Sequence, residues 1–86
     1  MMDNKTFTFL IKFFNPKTNK DDEIQFCAKT KTEAEEIFVD WCVFDEDFKN
    51  TPDVKSIEPV FNQYDKDAYG EEYGTPEEYS EWIYYQ

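Results

Sequence analysis

The first third of the chain alternates apolar and polar residues, as is typical of half-buried β-strands. Between Thr6 and Phe14, the residues that would share one apolar strand face are Phe7, Phe9, Ile11 and Phe13. A second alternating stretch, residues 23–29, follows a polar turn at 15–22 and places Ile24, Phe26 and Ala28 on one face. The two stretches predict a β-hairpin over residues 5–29.

The pattern then changes to the three-and-four spacing of an amphipathic helix. Thr30 and Glu33 fit a capping box at its start. The predicted apolar stripe consists of Ala34, Ile37, Phe38, Trp41, Phe44 and Phe48, with Cys42 beside it. We therefore predict a helix over residues 31–48. Val39 and Val43 form a second apolar strip, which favours side-on packing against the C-terminal segment, with a partner contact as the alternative.

The rest of the chain predicts one strand and one short helix. Residues 54–61 read as a strand, and Pro59 places it at a sheet edge because proline has no amide hydrogen to donate. Residues 64–86 form an acidic aromatic tail. Within this tail, Thr75 as N-cap and Pro76 at the first helical position predict a short helix.

These elements predict a single small α+β domain, residues 1–86, with the order ββαβα. An antiparallel return of the third strand beside the first gives a three-stranded antiparallel sheet of spatial order 3-1-2, with the most apolar strand at the centre. We expect the main helix to cover one face of this sheet. The short C-terminal helix is expected to cover the opposite face, which bears Leu10 and Phe14.

Negative charge is concentrated in the part of the chain from Thr32 onward. This part holds 16 of the 20 acidic residues and only three of the nine lysines, which gives it a formal charge of −13, whereas residues 1–31 carry +2. Aromatic residues make up 20% of the chain, a density that argues against disorder despite the charge. All tyrosines and both tryptophans lie in the acidic part, which indicates a surface that binds a basic partner.

The available residue types argue against catalysis and metal binding. The chain has no histidine and no arginine, so the commonest general base, metal ligand and bidentate phosphate ligand are all missing. The stretch Asp65-x-Asp67-x-Tyr69-Gly70 resembles the first half of a calcium loop. Its twelfth position is Pro76 instead of a bidentate glutamate, which favours a solvated acidic loop. We therefore predict no enzyme activity, no metal and no cofactor.

Three further expectations concern thiols, location and nucleic acid. Cys27 and Cys42 show no pairing pattern, and we interpret both as free packing residues. The N-terminus lacks signal-peptide features and no apolar run approaches the roughly 18 residues of a membrane span, so we expect a cytoplasmic protein with no membrane contact. Direct nucleic-acid binding is disfavoured, because a net charge of −11 repels phosphates.

These observations lead to the hypothesis of a non-enzymatic module that binds the basic surface of a nucleic-acid-handling protein. Carboxylates would attract that surface and tyrosines would add contact area. The candidate contacts are Glu33, Glu36, Asp40, Asp47, Asp65, Asp67, Tyr69, Glu71, Glu72 and Tyr73.

In size and charge, though in no motif, the chain is similar to small phage or mobile-element proteins that inhibit host defence enzymes by nucleic-acid mimicry. Such inhibitors are of the anti-restriction or anti-CRISPR type. The alternative is a regulatory or assembly subunit that joins a partner or itself through apolar and aromatic surface. In that alternative the acidic residues serve solubility.

Overall fold

A three-stranded antiparallel sheet organises the computed structural model, which describes residues 5–45 and 48–84. Its strands are β1 (Phe7–Asn15), β2 (Lys20–Ala28) and β3 (Val54–Val60), and their spatial order is β2-β1-β3. Both strand pairs are antiparallel. The predicted α+β class, the ββαβα order and the central position of the first strand are therefore confirmed.

The core lies on the phenylalanine face of β1, as its alternation predicts. Phe7, Phe9, Ile11 and Phe13 are fully buried, and the opposite face of the strand begins with Thr8. Helix α1 (Lys31–Asp40) packs on this core, with the Phe38 and Phe13 ring centroids 5.0 Å apart.

The start of α1 follows the predicted cap, whereas its end differs from the prediction. The Thr30 side chain accepts a hydrogen bond from the Glu33 amide at 3.1 Å. After Asp40 the chain forms a π-helical turn, Trp41–Asp45, and does not continue as an α-helix to residue 48. We call this segment the π-turn.

The π-turn changes which side chains face the core. Its wider i→i+5 turn rotates the chain less per residue than an α-helix, so Phe44 turns away from the core, while Cys42 stays on the side of Phe38, four residues earlier. Cys42 is fully buried, and Phe44 is 79% exposed. The prediction that Phe44 belongs to the buried stripe is therefore wrong. Phe48 lies in an irregular segment and is buried, and its amide donates a hydrogen bond to the Cys42 carbonyl at 2.9 Å.

The C-terminal helix α3 (Pro76–Tyr84) begins where predicted but packs on the other sheet face. The Thr75 hydroxyl accepts from the Glu78 amide at 3.3 Å, as expected of the cap. The Tyr79 ring lies 5.0 Å from both Phe7 and Phe9, so α3 sits in the same layer as α1. The expected coverage of the Leu10 and Phe14 face is wrong, because the Tyr79 and Trp82 rings of α3 pack on Phe7 on the core face.

The sheet face opposite the core carries a helix that the sequence did not indicate. Helix α2 (Gln63–Tyr69) starts at Asn62, whose side chain accepts from the Tyr64 amide at 2.9 Å. Asp65 of α2 accepts a hydrogen bond from the Thr8 hydroxyl at 2.6 Å. A short 3₁₀ turn (Gly70–Glu72) follows, so the predicted solvated loop around residues 65–70 is wrong.

Candidate partner-binding surface

The sheet divides the predicted acidic surface into two separate parts. Alternate residues of β1 point to opposite faces. Phe13 contacts α1 on one face, whereas Thr8 contacts α2 on the other. The acidic residues of α1 and those of α2 therefore lie on opposite sides of the sheet, and the 3₁₀ turn lies beside the end of β1, where the Glu72 carbonyl accepts from the Thr6 amide at 2.7 Å. A flat partner surface can contact only one of these two parts at a time.

On the core-side layer, Glu33, Glu36 and Asp40 form what we call the α1 acidic ridge. All three are exposed and follow one another at helix spacings of three and four, so their Cβ atoms are roughly 5–6 Å apart. Within residues 5–45 and 48–84, none of the three forms an ion pair or hydrogen bond through its carboxylate. Asp47, the fourth predicted acid of this helix, lies outside the described residues.

On α2 and the 3₁₀ turn, the predicted residues have mixed roles. Asp67, Glu71 and Glu72 are exposed, and Asp67 accepts a hydrogen bond from the Gln63 amide group at 3.0 Å. Asp65 is half-buried and holds α2 on the sheet through Thr8. Its role is therefore structural.

Tyr73 is a correction to the predicted contact set. It is buried, its hydroxyl accepts from the Asn62 amide at 2.6 Å, and the same hydroxyl donates to the Val60 carbonyl at 3.2 Å. It joins the end of β3 to the start of α2. A partner cannot reach it without disrupting that junction.

Beneath α2, a cluster of Thr8, Asp65, Cys27 and Tyr69 lies between the sheet and the helix. The Thr8 oxygen is 3.8 Å from the Cys27 sulfur. Burial, more than any other cause, raises the pKa of Cys27, and the Asp65 carboxylate raises it further. Cys27 in turn raises the pKa of Tyr69. A thiol that keeps its proton is a poor nucleophile, so this cluster serves to attach α2.

The cluster gives a testable prediction for the variant Asp65→Asn. The asparagine oxygen can still accept from Thr8, but it lacks the charge that disfavours the Cys27 thiolate. We expect the pH midpoint of Cys27 alkylation by iodoacetamide to move to lower pH. Because the raised thiol pKa means that the folded state holds its proton longer than the unfolded state, we also expect wild-type stability to fall as pH rises above about 9.

Mass spectrometry of the alkylated protein as a function of pH separates this effect from simple exposure. Loss of the carboxylate charge alone would move the midpoint and leave the limiting rate at high pH unchanged, whereas loosening of α2 would also raise that limiting rate. Cys42, which is fully buried, serves as the internal control. An unchanged midpoint in Asp65→Asn would contradict the assigned influence of the carboxylate.

Neither a metal centre nor a membrane-spanning helix is found in the described part of the chain. No group of three or more His, Cys, Asp or Glu side chains there has an arrangement that could hold a metal ion. The stretch that resembled a calcium loop is helical, and its Asp65 is bonded to Thr8. No described helix combines the length and apolarity that crossing a bilayer requires.

No protein-family model, curated protein or solved structure matches this chain.

Proposed function

We propose that this protein is a non-enzymatic inhibitor that occupies a basic nucleic-acid-binding surface of another protein. The α1 acidic ridge is the observation that carries the proposal. Its carboxylates are exposed and make no ion pair within the described residues, and their spacing is of the same order as that of phosphates along a nucleic-acid strand. A basic groove on the partner would therefore meet, on the ridge, negative charges spaced much as they are in nucleic acid.

The overall charge supports this function in preference to simple solubility. A net charge of −11 exceeds the magnitude of about 2–8 that keeps a small domain soluble. Such a field accelerates association with a basic partner, and its effect falls as salt screens it. The targets that fit this chemistry are DNA- or RNA-handling host defence enzymes, which makes the protein a phage or mobile-element inhibitor of the anti-restriction or anti-CRISPR type.

A second candidate function is a regulatory or assembly subunit. Exposed apolar and aromatic side chains favour it, with Phe44 and Tyr64 the most exposed among those outside the C-terminal helix. In this function the contact is hydrophobic and the acidic residues keep the protein soluble. Its binding would persist at high salt, and an obligate self-assembly would appear as an oligomer in light scattering.

The salt dependence of binding to lysate proteins tests the proposed function. The immobilised protein is exposed to lysate of the host of the phage or mobile element, and the retained proteins are identified by mass spectrometry. We expect the protein to retain a DNA- or RNA-handling enzyme, and we expect added nucleic acid to displace that enzyme. Its binding should be about tenfold or more weaker at about 200 mM salt than at about 50 mM salt. Retention that is unchanged at high salt would contradict mimicry.

A matched pair of variants separates the ridge from bulk charge. Glu36→Lys with Asp40→Lys reverses two ridge charges. Asp67→Lys with Glu72→Lys reverses two exposed charges away from α1 and gives the same net charge. We expect the ridge variant to lose the target and the control to retain it. Equal losses would mean that only the total charge matters.

A further inference from the structure

The π-turn brings two apolar side chains to the outward side of α1, next to the acidic ridge. Phe44 is 79% exposed and Val43 is 46% exposed, so the expected side-on packing against the C-terminal segment does not bury Val43. In an α-helix residues four apart are neighbours, and in the i→i+5 π-turn residues five apart become neighbours as well. Val39 therefore adjoins both Val43 and Phe44. We call Val39, Val43 and Phe44 the π-turn patch.

The ridge and the π-turn patch form one continuous surface. Asp40 precedes Phe44 by four residues and Val43 by three, so its carboxylate lies at the border between them. Next to this border is a shallow depression of about 370 Å³, which is lined by Thr32, Glu35, Glu36, Val39 and Asp40. The combined surface therefore has an apolar centre with carboxylates along one side.

We infer that the π-turn patch and the ridge together bind a basic amphipathic helix on the partner. This inference rests on the proposed function and specifies which part of the basic partner is recognised. The apolar side of that helix would cover Phe44 and Val43, and its lysine or arginine ammonium and guanidinium groups would reach Glu36 and Asp40. The aliphatic stems of those basic residues can cover Val39, and an arginine can stack on the Phe44 ring.

Charge complementarity selects this occupant over the alternatives. A second copy of the chain, placed by two-fold symmetry on the same surface, would bring two acidic ridges together, and like charges at an interface are strongly unfavourable. An anionic lipid surface would be repelled by the same carboxylates. A neutral apolar helix would cover Phe44 but would leave Glu36 and Asp40 desolvated without partners.

The test uses a synthetic peptide of leucine and lysine, about 18 residues long and therefore able to form a helix when bound. A control peptide has the same lysines, with glutamine in place of leucine. Binding to the full-length protein is followed by amide chemical shifts in two-dimensional NMR. We expect shift changes concentrated over residues 32–45, and affinity for the leucine peptide about tenfold higher than for the control.

A matched pair of aromatic truncations localises the contact. Phe44→Ala is expected to weaken binding of the leucine peptide about tenfold. Tyr64→Ala removes an aromatic side chain that is 87% exposed on α2, and we expect it to leave the affinity unchanged. Shift changes centred on residues 63–72, equal effects of the two truncations, or equal affinity for the two peptides would each overturn the inference.

Failure of this inference is distinguishable from failure of the proposed function. If Phe44→Ala has no effect while the lysate target is still displaced by nucleic acid, the patch is not the docking site but mimicry stands. If Phe44→Ala weakens the peptide complex while nucleic acid does not displace the lysate target, the docking surface stands and mimicry fails.

Discussion

Truncation of Phe38 to alanine is expected to lower the free energy of unfolding by about 3–5 kcal/mol. Phe38 is fully buried, and its ring centroid lies 5.0 Å from that of Phe13 and 5.9 Å from that of Trp41. The substitution therefore removes the central contact between α1 and the sheet and leaves a cavity. A chain of 86 residues has a total stability of roughly 4–13 kcal/mol, so this loss is a large fraction of it.

Phe44→Ala is the matched control, since it removes the same side chain from the same helical segment. Because Phe44 is exposed, we expect a change of no more than about 0.5 kcal/mol. Urea unfolding, followed by tryptophan fluorescence, measures both variants. Similar losses would mean that the segment continues as an α-helix with Phe44 inside the core, and the π-turn would then be wrong. Because the expected loss is small, the Phe44→Ala variant stays folded in the peptide experiment.

The sheet was predictable from sequence because its signals are local and agree with one another. The alternation of Phe7, Phe9, Ile11 and Phe13 defines one buried face, since a shift of one residue would expose all four. Pro59 correctly placed the third strand at an edge, which leaves β1 in the centre. Both predicted helix starts, at Thr30 and Thr75, depend on side-chain caps that are visible in the sequence.

Other features depend on tertiary contacts that the sequence pattern does not reveal. The π-turn leaves Cys42 in the core and Phe44 outside it, although both residues fit the helical spacing. Helix α2 is short and has no buried residue, so it has no hydrophobic stripe to predict it. The Asn62 cap and the buried Thr8 hydroxyl acquire their meaning only from the contact between α2 and the sheet.

The positions of the candidate site residues could be predicted within one helix but not across the sheet. Glu33, Glu36 and Asp40 were grouped correctly by helical spacing, because their relation is local. Their grouping with Asp67 on a single face was wrong, since it depends on which side of the sheet α2 occupies. A contact that decides this, from Thr8 to Asp65, joins residues 57 positions apart in the chain.

Gly74→Ala is expected to destabilise the protein by about 3 kcal/mol, because a Cβ atom at this position would overlap the Phe7 ring. The ring has little room to move. Phe7 is buried, lies edge-on to Tyr79 at 5.0 Å and stacks near Trp82 at 6.5 Å. Gly74 itself is held in place by its amide, which donates to the Thr6 carbonyl at 2.8 Å. The added methyl group therefore separates β1 from α3.

A double-mutant cycle with Phe7→Leu tests this cause, because leucine removes the ring atoms that the new Cβ would meet. We expect Phe7→Leu to cost at least about 1 kcal/mol less in the Gly74→Ala background than in the wild type. Gly70→Ala is the control. Its Cβ would meet nothing within 4 Å, but its φ of +60° is strained for alanine, so it should destabilise without any coupling to Phe7. Coupling of Phe7→Leu to both glycine variants, or to neither, would show that contact between Gly74 and Phe7 does not position α3.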